Sequence, residues 1–403
     1  METGTIENIE KKDCTGCGLC AVKCPKRCIA MIEDKEGFRT PQIDPSLCVN
    51  CGLCLKVCPT TSVADALYSK FERCYYCGII SDEKTLLKSS SGGVFGLLAR
   101  RILDQGGYIC GVVYNEELEA IHVLTNKREV VEKMYGSKYV QSRAEQCFGE
   151  IEYCLETGAV VLFSGTACQI AALRLYLGKE WEKLYCVEIL CHGVPSPMLF
   201  RAYKAHLEKK LGGKIEEIRF RDKRKKGWGS EHRTCVFYQK NGKKRVYRPI
   251  LPAYFSSFFY GLNLRESCYG CRFATLERVA DLTLGDFWGS WKKYGKWFHE
   301  GISVVGVNSE KGKRLFDKTL NSFAFLDVLS EAEAIASNDN FLHPVRRPRE
   351  RACFYTGIKQ SGYRHVWCRT YFTKTYKKKT LSSIYGAFVP TKIRFFLHRF
   401  RRF

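Results

Sequence analysis

A cysteine pattern that occurs twice near the start of the chain most constrains its fold. The pattern Cys-x2-Cys-x2-Cys-x3-Cys-Pro spans residues 14–25 and is repeated, 34 residues later, over residues 48–59. In such a run three thiolates bind one 4Fe-4S cluster, and the fourth reaches the other cluster of a two-cluster ferredoxin. The sequence therefore predicts an α+β, ferredoxin-like domain of the bacterial 2x[4Fe-4S] type over residues 1–64.

The crossed pattern assigns the ligands of the two clusters. The first set is Cys14, Cys17, Cys20 and Cys58, and the second is Cys48, Cys51, Cys54 and Cys24. Two structural zinc sites are the alternative, but zinc rarely takes this three-plus-one spacing, and two in-register copies make coincidence improbable. Cys28 lies outside both runs and is interpreted as a packed thiol.

Length and composition place this domain within a larger globular protein. A chain of 403 residues with 45% hydrophobic and 27% charged residues is expected to form two or three domains. The start of the chain lacks the apolar core of a secretory signal, and no apolar stretch is long enough to span a membrane. We therefore expect a cytoplasmic protein, in which the 22 cysteines are unlikely to form a disulfide framework.

The rest of the chain reads as alternating strands and helices, which predicts an α/β body. We expect a helix from about Ser90 to Gly106 and then a strand, YICGVVY. AVVLFSGTACQIAALRLYLG and LYCVEILCHGVPSPMLFRAYKAHLEKKLGG each predict a buried strand, a turn and a helix. A strand over Lys214 to Asp222 leads into a hairpin, where Asn241-Gly242 suits a type I′ turn.

Two predicted helix starts combine hydroxyl groups with glycine, at Ser89 to Gly93 and at Ser164 to Gln169. Exposed amides in such turns can hold phosphate groups. The alternative, that these residues only cap helices, stays open. Because the chain has neither a G-x-G-x-x-G motif after a strand nor a Walker A motif, no standard nucleotide-binding fold is indicated.

Seven ordered motifs in the body resemble those of one family. They are Ser89–Phe95, Gly136–Ser142, Phe163–Gln169, Cys191–Pro197, Phe220–Lys223, Cys268–Cys271 and Ala280–Gly289. Together with the cysteine repeat, they are similar to the coenzyme F(420) hydrogenase/dehydrogenase beta-subunit family of iron-sulfur flavoproteins, over about residues 10 to 345. Members differ in what they oxidise or reduce, so the resemblance does not identify the substrate.

The resemblance implies that the α/β body binds FAD and exchanges electrons between it and the clusters. It divides the body into an N-terminal part, residues 65–150, and a C-terminal part, residues 151–345, which contains a third cluster site. The FAD contacts that it implies are Ser90, Ser91, Gly92, Gly93, Ser137, Lys138, Tyr139, Gln141, Ser142, Ser164, Gly165, Thr166 and Gln169.

Four cysteines inside these motifs are predicted to hold the third 4Fe-4S cluster: Cys168, Cys191, Cys268 and Cys271. A zinc site that combines Cys268 and Cys271 with the pair Cys74 and Cys77 is an alternative of ordinary spacing. A further reading makes Cys168 an acidified nucleophile with His192 as its base, although no group evidently orients that histidine.

Seven other cysteines are isolated in sequence and are interpreted as small apolar fillers: Cys110, Cys147, Cys154, Cys186, Cys235, Cys353 and Cys368. Asp281 and Asp286 flank a predicted strand end. Either carboxylate can support the fold or transfer a proton, so neither is assigned a catalytic role, and the catalytic residues stay unassigned.

The net charge of +23 indicates an acidic partner, an anionic membrane or a polyanion, and the charge alone does not choose among them. The predicted tail covers residues 346–403, and the part of it after Glu350 has 13 Lys or Arg residues and no acidic residue. Its last stretch, Ile384 to Phe403, mixes aromatic and basic residues, so peripheral association with an anionic membrane competes with a solvated tail. An acidic electron carrier such as ferredoxin fits the charge, and nucleic acid is the less favoured partner.

Together these features predict an oxidoreductase that relays electrons between a ferredoxin-type carrier, 4Fe-4S clusters and FAD. It would reduce or oxidise a small organic substrate or a deazaflavin coenzyme. The alternatives are a non-catalytic electron-transfer subunit of a larger redox complex and a zinc- and nucleic-acid-binding protein. The sequence leaves the direction of electron flow and the oligomeric state open.

Overall fold

The cysteine repeat forms a small unit in which each of the two runs contributes a similar turn and helix. The structure, a computed structural model, describes residues 4–224, 227–228, 234–249, 252–297 and 299–371. Each cysteine run turns into a one-turn helix, and an antiparallel hairpin lies between the two runs. These elements are α1 (Leu19–Val22), β1 (Ile29–Glu33), β2 (Arg39–Ile43) and α2 (Leu53–Lys56). The observed α+β unit agrees with the predicted ferredoxin-like domain.

The body alternates strands and helices, as the sequence predicts. Its first part contains β3 (Cys74–Ile80), α3 (Glu83–Lys88), α4 (Val94–Leu103), β4 (Tyr108–Tyr114), β5 (Ala120–Thr125), α5 (Arg128–Met134), α6 (Phe148–Glu156), β6 (Val161–Gly165), α7 (Ala167–Leu177), β7 (Leu184–Ile189) and α8 (Pro197–Leu211). Its second part contains β8 (Lys214–Arg219), β9 (Cys235–Lys240), β10 (Lys243–Tyr247), α9 (Ala253–Phe259), β11 (Leu282–Asp286), β12 (Ser303–Val307), α10 (Glu310–Asp317), β13 (Phe323–Leu329), α11 (Glu331–Ser337) and α12 (Arg351–Tyr371).

A mixed sheet forms the centre of the body. Among the described residues it has eight strands in the order β13-β3-β12-β11-β7-β6-β4-β5. The four strands β11, β7, β6 and β4 are parallel, and antiparallel strands flank them on both sides. The carboxyl ends of the parallel strands therefore meet at one edge, which is where α/β sheets bind ligands.

A smaller antiparallel sheet in the order β10-β9-β8 extends the body. Asn241 and Gly242 join its hairpin with φ angles of +51° and +70°. Positive φ at both positions defines the type I′ turn that the sequence predicts. Among the described residues, no helix is both long and apolar enough to cross a membrane.

Two sequence predictions about the helices differ from the structure. The helix predicted from Ser90 begins at Val94 and ends at Leu103, because Gly93 adopts a left-handed conformation and the preceding serines form a loop. In the predicted tail, residues 351–371 form α12, and its Phe354 and Val366 are buried in the core of the body. The interpretation of Ile384 to Phe403 as a membrane-surface helix lies outside the described residues.

Most of the isolated cysteines are core fillers, as predicted. Cys110, Cys147, Cys186 and Cys235 are buried, and Cys154 is partly buried. Cys353 and Cys368 are exposed on α12, so the interpretation as fillers is wrong for these two. The sequence did not predict helix α12, so it gave no basis for placing these two side chains on an exposed helix face.

Candidate functional site

The first thiol set, Cys14, Cys17, Cys20 and Cys58, is brought together across the repeat. All four residues line one cavity of about 360 Å³. Burial raises the pKa of Cys17 to about 12, and the neighbouring Cys58 and Cys14 contribute to this rise. Four sulfur donors from two separated runs are the ligand set of a 4Fe-4S cluster, so these residues fit that group.

The second thiol set, Cys24, Cys48, Cys51 and Cys54, lines a separate cavity. The amide of Ile6 donates a hydrogen bond to the Sγ of Cys54 at 3.3 Å, a contact of the kind that tunes cluster sulfurs. Cys28 also lines this cavity, and its Sγ lies 3.4 Å from that of Cys24. It is therefore a fifth thiol beside the second set, and not only a packing residue.

The third thiol set, Cys168, Cys191, Cys268 and Cys271, converges in the body although its members lie up to 103 residues apart. The four side chains line a cavity of about 50 Å³, which we call the thiol cavity. Burial raises the pKa of Cys191 well above its ordinary value, and Cys268, Cys168 and Cys271 add to this effect. The amide of Val194 donates to the Sγ of Cys268 at 3.4 Å. The residues thus fit a 4Fe-4S cluster here too.

The zinc alternative for these cysteines is wrong, and burial disfavours the nucleophile alternative for Cys168. Cys74 and Cys77 lie on strand β3 three positions apart, so they face opposite sides of the sheet and pack in different cores. They cannot share one zinc ion with Cys268 and Cys271. Burial also raises the pKa of Cys168 to about 12, which is the reverse of an acidified nucleophile.

A further cavity of about 290 Å³ opens in the body at the carboxyl ends of the parallel strands, and we call it the central cavity. Ser164, Ile189 and Asp286 line it from the ends of β6, β7 and β11. Eleven of the thirteen implied FAD contacts also line it: Ser90, Ser91, Gly93, Ser137, Lys138, Tyr139, Ser142, Ser164, Gly165, Thr166 and Gln169. The motifs quoted above therefore meet at one place.

Two implied FAD contacts lie elsewhere. A Cβ on Gly92 would come within 2.2 Å of the carbonyl oxygen of Gly78, so this glycine allows the loop to approach strand β3. Gln141 lines the thiol cavity, where its Nε2 donates to the carbonyl of Thr15 at 3.0 Å. Neither residue lines the central cavity.

Several polar groups around the central cavity already have protein partners. The amide of Ser137 donates to the Oγ of Ser90 at 2.8 Å, and the Oγ of Ser91 donates to the carbonyl of Ile302 at 2.9 Å. The amide of Thr166 donates to the side-chain oxygen of Gln169 at 3.0 Å, at the start of α7. The capping interpretation therefore holds for Thr166 and Gln169, and Ser90 and Ser91 instead join loops.

Cationic residues line or border the same cavity. Lys138 donates to the carbonyls of Lys133 and Gly136 at 2.5 and 3.1 Å, and burial lowers its pKa to about 7. Arg221 is buried and forms an ion pair with Asp286, with Nη1 and Oδ2 2.5 Å apart. Its guanidinium also lies 5.2 Å from the ring centre of Trp288. These cations suit a bound group with negative charge.

Sequence reasoning missed Arg221 and Trp288 as site residues, although both lie inside quoted motifs. It left Asp286 open between two roles, and the ion pair assigns it to holding Arg221. Asp281 supports the fold: it accepts the amide of Cys186 at 2.7 Å and the hydroxyl of Ser309 at 2.6 Å.

The central cavity and the thiol cavity share a wall. Thr166, Gln169, Ile189, Cys191, His192, Gly193, Val194 and Asn340 line both. The Oγ1 of Thr166 lies 3.1 Å from the Sγ of Cys168, and the Nδ1 of His192 lies 3.2 Å from the Oδ1 of Asn340. A group in one cavity is thus separated from a group in the other by a single layer of side chains.

Comparisons with known proteins give matches for two parts of the chain. Residues 13–62 match the family model of the 4Fe-4S dicluster domain. Residues 158–326 match the family model that describes the C terminus of the beta chain of coenzyme F(420) hydrogenase/dehydrogenase. No curated protein matches the chain. A protein of the F(420)-reducing NiFe hydrogenase complex from Methanosarcina barkeri is similar at 15% identity and a TM-score of 0.41, over 74% of this chain and 91% of that chain.

The class is therefore that of iron-sulfur, electron-transferring oxidoreductases with a two-cluster domain on the N-terminal side. Within that class, residues 158–326 match the C-terminal model of the coenzyme F(420) hydrogenase/dehydrogenase beta subunit, and this match confirms the resemblance drawn from the motifs.

Proposed function

We propose that this protein is an FAD-dependent iron-sulfur oxidoreductase that relays electrons between an acidic, ferredoxin-type carrier and a small organic substrate or deazaflavin coenzyme. The wall shared by the central and thiol cavities carries the proposal. Electron transfer needs centres that are close and fixed, and only the side chains of this wall separate the two cavities. When bound, 4Fe-4S clusters exchange single electrons and FAD exchanges one or two.

The residues of the central cavity suit the negatively charged FAD. Arg221 provides positive charge, Asp286 holds its guanidinium in a fixed orientation, and Lys138 adds a positive charge when it is protonated. Trp288, Phe258 and the strand ends provide apolar and aromatic contact area. Protein groups of these kinds bind, orient and electrostatically tune a flavin without reacting themselves.

The positions of the thiol sets suggest the order in which electrons pass between them. In the second set Cys51 is exposed, whereas Cys17 of the first set packs against the body core that contains Ala167 and Leu173. The second set therefore suits exchange with an external carrier, and the first and third sets suit transfer inside the protein. The direction of electron flow along this route follows from the substrate and not from the geometry.

Anaerobic purification followed by iron, sulfide, zinc and flavin analysis tests the proposal. We expect about 12 iron atoms and one FAD per chain, since three 4Fe-4S clusters hold about four irons each. Cys51→Ser should slow reduction by reduced ferredoxin and leave the flavin content unchanged. Protein that contains neither iron-sulfur clusters nor flavin would contradict the proposal. A Cys51→Ser variant with full ferredoxin-linked turnover would also contradict it.

A non-catalytic electron-transfer subunit is the second candidate, because the matching family model describes a beta subunit. In that case the protein would bind FAD but react with no small donor or acceptor until a partner protein is added. Steady-state assays with small dyes and deazaflavins, with and without candidate partners, separate the two functions.

A further inference from the structure

One buried arginine lies where the cysteine-repeat unit meets the body. Arg265 is 3% exposed and directly precedes the short helical turn Glu266–Gly270 of the body. Burying a guanidinium is costly unless its charge and its donors are matched, so its surroundings are informative.

The guanidinium reaches into the first thiol set. Its Nε donates to the carbonyl of Cys14 at 2.7 Å, and its Nη2 donates to the carbonyl of Arg39 at 2.7 Å. The same Nη2 lies 3.8 Å from the Sγ of Cys14. A Cβ on Gly16 would lie 2.7 Å from this nitrogen, so the cluster loop passes directly against the guanidinium.

The opposite side of Arg265 belongs to the third thiol set. Arg265 lines the thiol cavity, and its carbonyl accepts the amide of Cys268 at 3.0 Å. Its Nη1 donates at 3.1 Å to Gln141, which lines the same cavity. Burial raises the pKa of Cys168 and Cys268, and the charge of Arg265 opposes that rise.

The charge of Arg265 has no carboxylate partner within ion-pair distance among the described residues. The buried Arg351, by comparison, pairs with Glu36 and Glu266. Thiolates of the first and third sets, when bound to clusters, would be the negative groups near Arg265 on both sides. The positive charge of Arg265 would then be balanced by the two thiolate sets, without a carboxylate.

We propose that Arg265 is a positioning residue that couples the first and third thiol sets, holding them at a fixed separation and raising the reduction potential of the cluster at each. The inference rests on the proposed function, since it requires clusters at both sets. Reduction adds one electron to a cluster, and the electron donor loses that electron. A nearby positive charge stabilises the more negative, reduced form, and so it raises the potential.

Redox titration of the full chain, followed by electron paramagnetic resonance, tests this assignment. In Arg265→Met the potentials of two clusters should fall by at least about 59 mV, a tenfold change in a one-electron equilibrium. The potential of the cluster whose signal is altered by Cys51→Ser should stay unchanged. In Arg265→Lys the cluster potentials should stay close to those of the wild type, because the positive charge is kept. Electron transfer between the clusters should be slower, because the forked guanidinium contacts are lost.

Arg201→Met is the matched control. Arg201 also joins the body to the cysteine-repeat unit, through Glu33 at 2.9 and 2.5 Å, and within the described part of the chain it has no hydrogen bond to a thiol. We expect its removal to leave all three potentials unchanged. If it shifts them as Arg265→Met does, the effect is a general consequence of loosening the interface and the inference is wrong.

Two further outcomes separate the inference from the proposed function. Wild-type protein with only about eight iron atoms per chain lacks the third cluster, and then the proposed function fails first. A full iron content with unchanged potentials in Arg265→Met overturns the inference alone. If Arg265→Met loses iron, the variants Arg265→Lys and Arg265→Gln replace it in the test. Both variants lose the forked guanidinium contacts, but only Arg265→Lys keeps the positive charge. Equal cluster potentials in these two variants would contradict the role of the charge.

Discussion

At the scale of single residues, Lys223 shows how burial sets the chemistry of a side chain near the central cavity. It is 4% exposed, and its Nζ donates to the carbonyls of Ser91 and Glu300 at 2.6 and 2.7 Å. Burial, together with the charge of the neighbouring Arg221, lowers its pKa from 10.5 to about 7. Lys223 thereby ties the serine-glycine loop to the loop before β12 while losing its proton unusually early.

This shift predicts a pH dependence of stability in flavin-free protein. Between pH 7 and 10.5 the unfolded chain keeps a proton on Lys223 that the folded chain releases. Because the unfolded state then binds more protons, this residue makes the free energy of unfolding rise with pH, by at most about 1.4 kcal/mol per unit. Denaturant titrations at pH 7, 8 and 9 measure it.

Lys223→Met should remove that contribution, whereas the exposed Lys209→Met should keep it. The difference in unfolding free energy between wild type and Lys223→Met is therefore expected to grow from pH 7 to pH 9. Parallel pH profiles of these two proteins would show that Lys223 keeps an ordinary pKa.

At the scale of elements, strand geometry decides which cysteines can share a metal. In strand β3 successive side chains alternate between the two faces of the sheet, so Cys74 and Cys77 point away from each other. Cys268 and Cys271 lie instead around the turn Glu266–Gly270, where a spacing of three keeps both side chains on one side of the thiol cavity. The same Cys-x2-Cys spacing thus has opposite consequences in a strand and in a turn.

Iron analysis of two variants tests this difference. We expect Cys77→Ala to retain the full iron content, because its side chain packs in an apolar core. Cys268→Ala should lose about four iron atoms per chain, the content of one cluster. Zinc in the wild-type protein that disappears in both variants would instead support a mixed site.

At the scale of the whole molecule, the exposed end of the second thiol set is where an external carrier can approach. Leu47 and Val49 beside this set are 53% and 58% exposed, and the exposed Lys26 lines its cavity. Apolar contact area beside a lysine favours a small acidic partner, and the net charge of +23 steers such a partner at long range.

Charge reversal at this end is expected to slow association with ferredoxin several-fold at low salt. Lys26→Glu replaces attraction by repulsion near the second set, so its effect should shrink as screening increases toward about 1 M salt. Stopped-flow reduction rates over a range of ionic strength measure this. Lys209→Glu, which changes the charge equally on α8, is the control, and equal slowing in both variants would contradict a localised docking surface.

The sequence by itself determined the features that depend on short-range spacing. Three thiols within seven residues must meet at one centre, so the two-cluster unit could be predicted from residues 14–59. The order of strands and helices and the Asn241-Gly242 turn also follow from local patterns. The third set was recognised only because its members lie in motifs of a known family.

Only the tertiary structure decided how these parts meet. Arg265 contacts Cys14 across 251 residues of chain, and Arg221 pairs with Asp286 across 65. No spacing rule connects such residues, because their contact depends on how the repeat unit packs against the body and on which strand ends adjoin in the sheet. Burial then set the pKa values of Lys138 and Lys223, since desolvation depends on the surrounding protein and not on the identity of the residue.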